Sequence, residues 1–583
     1  MARPIIVRKV KNWLGYKPVE GQTSSDGKPI MLFTKPEGED HVTPLSAMGA
    51  DKSPFVQNLR VALGGRYVTR DGTNYIGPAA ATAICGACVF VASTVLNYIT
   101  RVTTTGVEVY TGSLWRPLVI GAAKYELTSE TSSPILSELG DYIVDEDIIG
   151  NLALAIDPDT PVEFSVWNKT LMFTDGTSGL YEIDYNEGTY TLIPAAPIGL
   201  HLTTFDGRAI LSNLSPIGLA SRIQWSVKYD NHDWTGLGSG YEDLLSSPGG
   251  VVDTQHGIIP VSDSEAFIVR QGSMWLMNTT GVFDAPFIFT EHFDQGTASP
   301  DTCIRIPGEK ISQQTLRTLF AQIICLGNDD VVMMKMEGVF PLGFPIRDQL
   351  LNSILNVGAA SADFEPRLRE YRIFIPNWTQ PQTTSVVWRY NIDTHLWTHD
   401  LFPFCIKSMF CKDVLPSTLA IEDLSGIISG LTGTIGLLGV TLGSANPGAI
   451  FITKNGDYLV KEDSNYSTDN PNSSTTVGIP IELRTGLLAV PTPLTRSLLS
   501  AVELEYEAAV AVTVGVDYSV DGGSTWTSYG TLNLGVTTTP TVVVYRYTRE
   551  ARQIMIRVIS TSGGGLKLHS LVPSLTLGAS INP

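Results

Sequence analysis

Seven stretches of this chain repeat one local pattern: a run of β-branched and aromatic residues, a polar turn, then a second such run. They are 89–102 with Ser93-Thr94 at the turn, 166–185 with Asp175-Gly176, 202–213 with Asp206-Gly207, 266–277 with Gln271-Gly272-Ser273, 320–336 with Asn328-Asp329-Asp330, 386–397 with Asn391 to Thr394, and 449–460 with Asn455-Gly456-Asp457. Strand, tight turn and strand means antiparallel pairing. So many hairpins create many sheet edges, and a stable chain must hide them. Radial repetition does so by stacking each hairpin against the next. From Gly207 onward the turns fall 57 to 66 residues apart, too irregular for a strict repeat motif. The expected fold is all-β: a β-propeller of six or seven irregular blades, with stacked sandwiches as the alternative. A helical period is seen only in a short stretch near 346–355.

The flanks read differently. Residues 1–60 carry Pro4, Pro18, Pro29, Pro36, Pro44 and Pro54 with little apolar periodicity, which predicts an extended N-terminal arm. The propeller is expected over 61–465. Residues 466–477, rich in Ser, Asn, Asp and Thr, read as a linker. Residues 478–583 hold six or seven strand-like runs and predict a separate β-sandwich. Inside the propeller, 421–441 repeats with a step of seven: Ile421, Ile428 and Ile435; Leu424, Leu431 and Leu438; Gly426 and Gly433. Such a step suggests a coiled coil, but each Gly costs a helix about 1 kcal/mol relative to Ala. The segment is therefore expected to form a loop of short turns.

Chemistry is hard to find. Cys85 and Cys88 form a single CxxC, whereas a structural zinc needs four ligands, and a redox role needs a βαβ context. The six cysteines are too few for a disulfide scaffold and suit buried thiols in a reducing compartment. His395 and His399 would share a face on a helix, but the residues around them read as a strand. Glu503, Glu505 and Glu507 alternate along a strand and read as a solvated face, and Asp145-Glu146-Asp147 reads as an acidic turn. Ser519-Val520-Asp521-Gly522-Gly523-Ser524-Thr525-Trp526 resembles the Asp box of sialidases, a hairpin staple, and occurs once. No GxxxxGK[ST], GxSxG or HExxH is present. The expectation is a chain that is not an enzyme and uses no cofactor or metal. Charge-free stretches at 72–100 and 424–453 are broken by Gly and Pro, so no membrane span is expected. Residues 1–7 lack a continuous apolar core, so no secretory leader is expected.

One stretch says more. Arg222-Ile223-Gln224-Trp225-Ser226 is followed by Asp233-Trp234-Thr235, then Tyr241-Glu242-Asp243-Leu244 and Gly249-Gly250. This resembles a blade segment of the tail nozzle proteins of short-tailed bacteriophages, including the packaged-DNA stabilisation type. In that pattern a strand ending in Trp-Ser leads to a loop closed by a second Trp. The Asp206-Gly207-Arg208 turn and the 266–277 hairpin fit the same pattern, and Trp388 with Trp397 is similar to the next closing blade. The resemblance covers about 160–460.

It implies a structural virion protein: a ring, of six copies, that continues the portal–adaptor channel, retains packaged DNA and lets it exit. The implied partners are a tail adaptor above, a fibre or needle protein below, and double-stranded DNA that passes without specific binding. The implied location is the virion tail, with the host cytoplasm before assembly. Arg222, Trp225, Ser226, Asp233 and Trp234 would be structural. From position and composition, Leu424, Gly426, Ile428, Leu431, Gly433, Ile435 and Leu438 are candidate gate residues. The formal charge of −19 suits a lumen that repels phosphate, and argues against a surface built to grip nucleic acid. The alternative reading is a carbohydrate-binding propeller for receptor attachment.

Overall fold

The computed structural model describes the backbone of 15–23 and 29–34, and residues 53–62, 66–91, 97–121, 154–158, 160–168, 170–215, 219–244, 253–306, 322–335, 338–352, 359–365, 368–376, 384–410, 413–414, 449–453, 457–463, 466–472, 475–486, 488–489, 497–551 and 553–577. Seven sets of four antiparallel strands follow one another, each set within its own sheet, and each contains one of the seven hairpins. Blade 1 comprises Ile84–Val91, Asn97–Thr103, Val107–Tyr110 and Trp115–Pro117; blade 2, Glu163–Trp167, Thr170–Thr174, Leu180–Asp184 and Thr189–Leu192. Blade 3 comprises Gly199–Phe205, Arg208–Leu214, Leu219–Trp225 and Gly240–Asp243; blade 4, Gln255–Pro260, Glu265–Arg270, Met274–Thr279 and Phe287–Phe293. Blade 5 comprises Ile304–Ile306, Gln322–Leu326, Val331–Lys335 and Gly338–Pro341; blade 6, Ser361–Glu365, Glu370–Phe374, Ser385–Asn391 and Leu396–Phe402. Blade 7 takes Ile406–Phe410, Ile450–Thr453 and Leu459–Asp463 from late in the chain and Gly72–Tyr75 from before blade 1.

The side chains explain why these sheets close into a disc. Strand alternation gives each blade two apolar faces, and each face must meet another. Phe90 and Val102 meet Phe164 and Phe173 between blades 1 and 2. Met172 and Leu180 meet Leu202 and Leu211 between blades 2 and 3. Ile210 and Trp225 meet Ile268 and Phe287 between blades 3 and 4. Phe267 and Val269 meet Ile323 and Cys325 between blades 4 and 5. Ile324 and Val331 meet Tyr371 and Trp397 between blades 5 and 6. Phe374 and Val387 meet Phe451 and Val460 between blades 6 and 7. Finally Ile450 and Leu459 meet Ile84 and Val89, which returns to blade 1. The protein is a seven-bladed β-propeller. Its first strands lie innermost, linked side to side: the Ser165 and Thr204 hydroxyls are 2.9 Å apart across blades 2 and 3.

The second unit is a sandwich with its own core, around Val56, Leu483, Val502, Leu504, Val516 and Ile556. One layer holds Phe55–Gln57, Ile481–Arg484, Gln553–Ser560, Val512–Ser519 and Thr527–Leu534. The other holds Leu59–Ala62, Arg66–Thr69, Leu566–Leu577, Ser497–Ala508 and Thr537–Ala551.

Three expected boundaries differ from this. Residues 55–60, expected in the arm, and 61–62, expected at the start of the propeller, belong to sandwich strands, because Val56 and Leu59 bury completely in its core. Residues 66–69, expected in the propeller, also join the sandwich, through Lys567↔Val68 and Leu568↔Tyr67. Residues 466–477, expected as a linker, form Thr468–Asn472 and Thr475–Gly478, which extend the sheet of blade 7. That polar segment has no apolar alternation to reveal it. It is held by Asp469, fully buried and paired with Arg70 at 2.5 Å.

The two units share one continuous sheet. Gln57 pairs with His399 of blade 6, and Asn58 sits at φ 57° between them. The side-chain carbonyl oxygen of Asn58 accepts from the Leu401 amide at 2.7 Å and from Arg70 Nε at 3.0 Å, and its amide donates to the Pro480 carbonyl at 2.5 Å. Beside it lies a buried charge network. Glu462 of blade 7 receives Arg372 and Arg389 of blade 6, each at 2.5 Å, and Arg60 of the sandwich at 3.2 Å. Arg389 also pairs with Asp400 and with Glu370, and Arg372 with Asp363. Burial pushes the Glu462 carboxyl up, but Arg389, Arg372, Arg60 and Arg70 overcome it and hold the group well below the ordinary range.

Removing one member of a buried ion network leaves the rest uncompensated, at about 3–5 kcal/mol. Glu462→Gln is therefore expected to lower the free energy of unfolding by that amount, read as a lower denaturant midpoint at unchanged slope. A loss below about 1 kcal/mol, the scale of an exposed pair, would show that the network does not join the units. The folded carboxyl is depressed, so its contribution is complete above the unfolded-state pKa and fades only as pH falls through the folded value.

Candidate functional site

The Arg222–Trp234 segment is built as a clasp. Leu219–Trp225 is the third strand of blade 3, and Arg222 forks onto Asp243 of the fourth strand with two contacts of 2.7 Å. This hydrogen-bonded pair holds the Asp243 carboxyl below the usual range and raises the Arg222 guanidinium. Trp225 is buried, donates to the Gly238 carbonyl at 3.2 Å and meets Phe287 of blade 4 edge to face at 5.2 Å. The Ser226 hydroxyl accepts from the Ala209 amide at 3.1 Å and donates to the Val227 carbonyl. Asp233 caps the loop by accepting from the Thr235 and Gly236 amides at 3.0 and 2.7 Å. Trp234 closes the loop on the other side: its indole donates to the Asn231 carbonyl at 2.8 Å and its ring packs into the core between blades 2 and 3. One loop thus grips blades 2, 3 and 4.

Next to the clasp lies an open groove between the outer strands of blades 3 and 4. The groove between them is about 400 Å³ and is lined by Glu242, Leu244, Trp275, Phe287, Ile288 and Phe289, with Asp243 at its end. Glu242 and Ile288 are exposed, and Trp275 and Phe289 half-buried. Leu219–Trp225 pairs Ile223 with Glu242, so strand alternation turns Glu242 toward blade 4 along with Ile223. Trp275 pairs with Glu291, also exposed. In the sequence Glu242 and Trp275 stand out only as parts of a blade motif. What the motif lacks is Phe287-Ile288-Phe289, in the outer strand of blade 4, which supplies aromatic side chains to the groove.

The other singled-out residues do not converge. Cys85 and Cys88 are both buried in the core between blades 1 and 2, and burial pushes the Cys88 thiol up strongly. His399 packs edge to face on Phe55, while His395 ends a turn at φ 57°, its ring 3.0 Å from the Tyr390 hydroxyl. Asp521 staples its hairpin by accepting from the Thr525 amide at 2.9 Å, and hydrogen bonds from Ser519 and Thr525 bring its carboxyl down to about 2. Glu507 pairs with Lys567 and His569, each at 3.1 Å. Burial lifts the Glu507 carboxyl, but the Lys567 hydrogen bond and nearby charges leave it lowered. The acidic turn at 145–147 and the gate residues Leu424, Gly426, Ile428, Leu431, Gly433, Ile435 and Leu438 lie outside the described residues. The chain enters that second segment from Asp413–Val414, a short parallel pairing on Ile84–Val91 of blade 1, and returns at Ala449. Among the described residues no group of three or more His, Cys, Asp or Glu is placed to hold a metal, and no helix is long and apolar enough to cross a membrane.

No protein-family model and no curated protein matches the sequence. Solved structures do. A quinoprotein alcohol dehydrogenase-like protein from Bacteroides thetaiotaomicron is similar at 8% identity and a TM-score of 0.29, over 54% of this chain and 65% of its own length. An exo-β-1,3-galactanase from Phanerochaete chrysosporium is similar at 9% identity and 0.23, over 78% and 99%. A family 43 arabinoxylan arabinofuranohydrolase from Bacillus subtilis is similar at 10% identity and 0.17, over 65% and 94%. The chain thus spans a little under two thirds of the first of these proteins. The expectation that the chain is not an enzyme is corrected at this point: glycoside hydrolases stand among the similar structures, so the missing sequence motifs do not exclude activity.

The clasp separates two contributions by size. Trp234→Ala empties a buried site between blades and is expected to cost about 3–5 kcal/mol. Arg222→Ala breaks a pair in partial contact with water and is expected to cost less than about 1 kcal/mol. Equal losses in chemical denaturation would mean that the ion pair holds the clasp as strongly as the indole does.

Proposed function

We propose that the chain is a structural virion protein: a subunit of the ring-shaped tail nozzle that continues the portal–adaptor channel, retains packaged DNA and lets it exit during ejection. The observation that carries this reading is the clasp, in which every residue of the blade signature has a defined structural role. Arg222 holds Asp243, Trp225 packs against blade 4, Ser226 ties the neighbouring strand, Asp233 caps the loop and Trp234 packs against blade 2. The net charge of −19 supports it, since an acidic wall within a Debye length of about 8–10 Å repels phosphate and lets DNA slide. In this proposal the ring holds six copies, a tail adaptor docks above and a fibre or needle protein below. The location is the virion tail, after a cytoplasmic stage.

A carbohydrate-binding role in receptor attachment is the second reading. It is favoured by the groove between blades 3 and 4, where Trp275 and Phe289 offer apolar ring surface beside the Glu242 carboxylate.

Two measurements separate them. Immunogold electron microscopy of purified virions from the source system, with antibody against this chain, is expected to label the single tail vertex. Unlabelled virions beside abundant protein in infected cells would remove the nozzle reading. On a glycan array, the second reading expects binding that Trp275→Ala abolishes, and the nozzle reading expects none.

A further inference from the structure

Five of the six cysteines lie among the described residues, and all five are free thiols. The pair that reads as a redox motif cannot join. Cys85 and Cys88 are three positions apart in the extended strand Ile84–Val91, a span of about 10 Å. A disulfide bridges Cα atoms no more than about 7 Å apart. A different pair is brought together by the fold. Blade 5 pairs its first two strands through Ile304↔Ile324, Arg305↔Ile323 and Ile306↔Gln322. One step back along that register sets Cys303 opposite Cys325. Their side chains leave the sheet on the same face. Both join the apolar layer with Phe267, Val269 and Met274 of blade 4, whereas Ile306 and Ile324 enter the layer against blade 6. Directly opposed residues of an antiparallel pair hold their Cβ atoms about 4.5–5.5 Å apart, about 1 Å more than a disulfide needs.

The backbone around the pair is already fixed. The Leu326 amide donates to the Thr302 hydroxyl at 3.0 Å, and the Cys303 amide to the Pro300 carbonyl at 3.0 Å. The sulfurs themselves are held loosely. Cys303 Sγ lies 3.9 Å from the Ser299 carbonyl oxygen, and Cys325 Sγ 4.0 Å from Met334 Sδ. A thiol is a weak donor, so turning these two toward each other gives up little. The Cys325 thiol is raised well above its ordinary range, first by its hydrogen bond with Cys303 and then by burial.

We propose that Cys303 and Cys325 are a redox-sensitive pair that closes to a disulfide when the folded chain meets a peroxide. Cys303 is 8% exposed and Cys325 0%, so Cys303 is the sulfur the oxidant reaches. Hydrogen peroxide converts it to the sulfenic acid, transferring one oxygen and releasing one water. The Cys325 sulfur then attacks the sulfenic sulfur. The S–S bond forms, the S–O bond breaks, and the thiol proton leaves with the hydroxide as a second water. Two thiols are oxidised and one peroxide is reduced. The bond fastens Ile304–Ile306 to its neighbour, and among the described residues this is the shortest first strand of the seven blades. A cross-link restricts the unfolded chain, so oxidation stabilises the propeller where its inner wall has the fewest backbone pairs. The pair acts in this way under either reading of function above.

The test exposes the full-length folded chain to hydrogen peroxide, alkylates the remaining thiols in denaturant and maps the unreduced digest by mass spectrometry. The expected product is a linked pair of peptides carrying Cys303 and Cys325, lighter by two hydrogens and separated by dithiothreitol. The oxidised chain is expected to melt about 2 °C or more above the reduced one. Cys303→Ala is expected to abolish that shift, and Cys85→Ala to leave it. The mapping needs no variant, so it decides the matter even where a substituted chain folds poorly. Linkage that forms only in denaturant overturns the inference. So does linkage spread evenly over all six cysteines, or oxidation of Cys303 to the sulfinic acid with no link to Cys325. A fully linked chain that melts like the reduced one removes the staple.

Discussion

Everything in this fold meets at Glu462. A carboxylate buried this deeply would ordinarily be driven toward its neutral form. Here three guanidiniums reach it, from blade 6 twice and from the sandwich once, so it stays charged and ties three pieces of chain together. Asn58 makes the neutral half of the same junction, with hydrogen bonds to blade 6, to Arg70 and to the sandwich turn at Pro480. The consequence is architectural. Residues 55–75 run through the sandwich, past this network and out to blade 7, where Gly72–Tyr75 supplies the outer strand that closes the ring. A propeller whose last blade is completed from a strand that precedes its first blade cannot open there without breaking a sheet. Here the same short segment also fixes the sandwich.

The hairpins were legible because each needs only local information: two β-prone runs and a turn that reverses them. They are not equivalent, however. In blade 1 the pattern marks the first two strands, in blade 4 the middle two, and in blade 6 the last two. That is why the spacing drifts although the blades are regular. The remaining strands escaped notice for physical reasons. Gly72–Tyr75 and Thr468–Asn472 have no apolar alternation, since both are held by pairing and by the Asp469 contacts with Arg70 and Thr73. Buried arginines leave no trace of their burial in composition: Arg372 and Arg389 sit in Glu370–Phe374 and Ser385–Asn391 at positions that read as outward and polar. Only their partners, distant in sequence, turn those positions inward.

The candidate site divides in the same way. The clasp residues lie within thirteen positions of one another, so their spacing could be seen directly, and Arg222, Trp225, Ser226, Asp233 and Trp234 all make contacts within or beside one loop. The groove could not be seen. It is a space between two outer strands, and its members come from three strands of two blades and from the residue after one of them, Leu244. Glu242 has the same neighbours in sequence whether it faces water or Phe289. The strand pairing, Ile223 with Glu242, decides which.

Charge and burial together bear on what the surface can hold. Arg60, Arg70, Arg101, Arg208, Arg270, Arg372 and Arg389 are all buried. Each is engaged inside the fold, by Glu462, Asp469, Glu108, Asp206, Asp253, Asp363 and Asp400 among others. These cations are withdrawn from the outside. Buried carboxylates such as Asp363, Glu370, Asp400, Glu462 and Asp469 neutralise them there, so the excess of 58 Asp+Glu over 39 Lys+Arg is left to the rest of the chain. Phosphate-gripping proteins do the opposite and set their arginines outward in rows. The interior of this protein is rich in arginine for the sake of its own architecture, and the outside is left acidic. In the proposed nozzle, DNA would be held by the shape of the passage and by whatever closes its end, not by attraction along its wall.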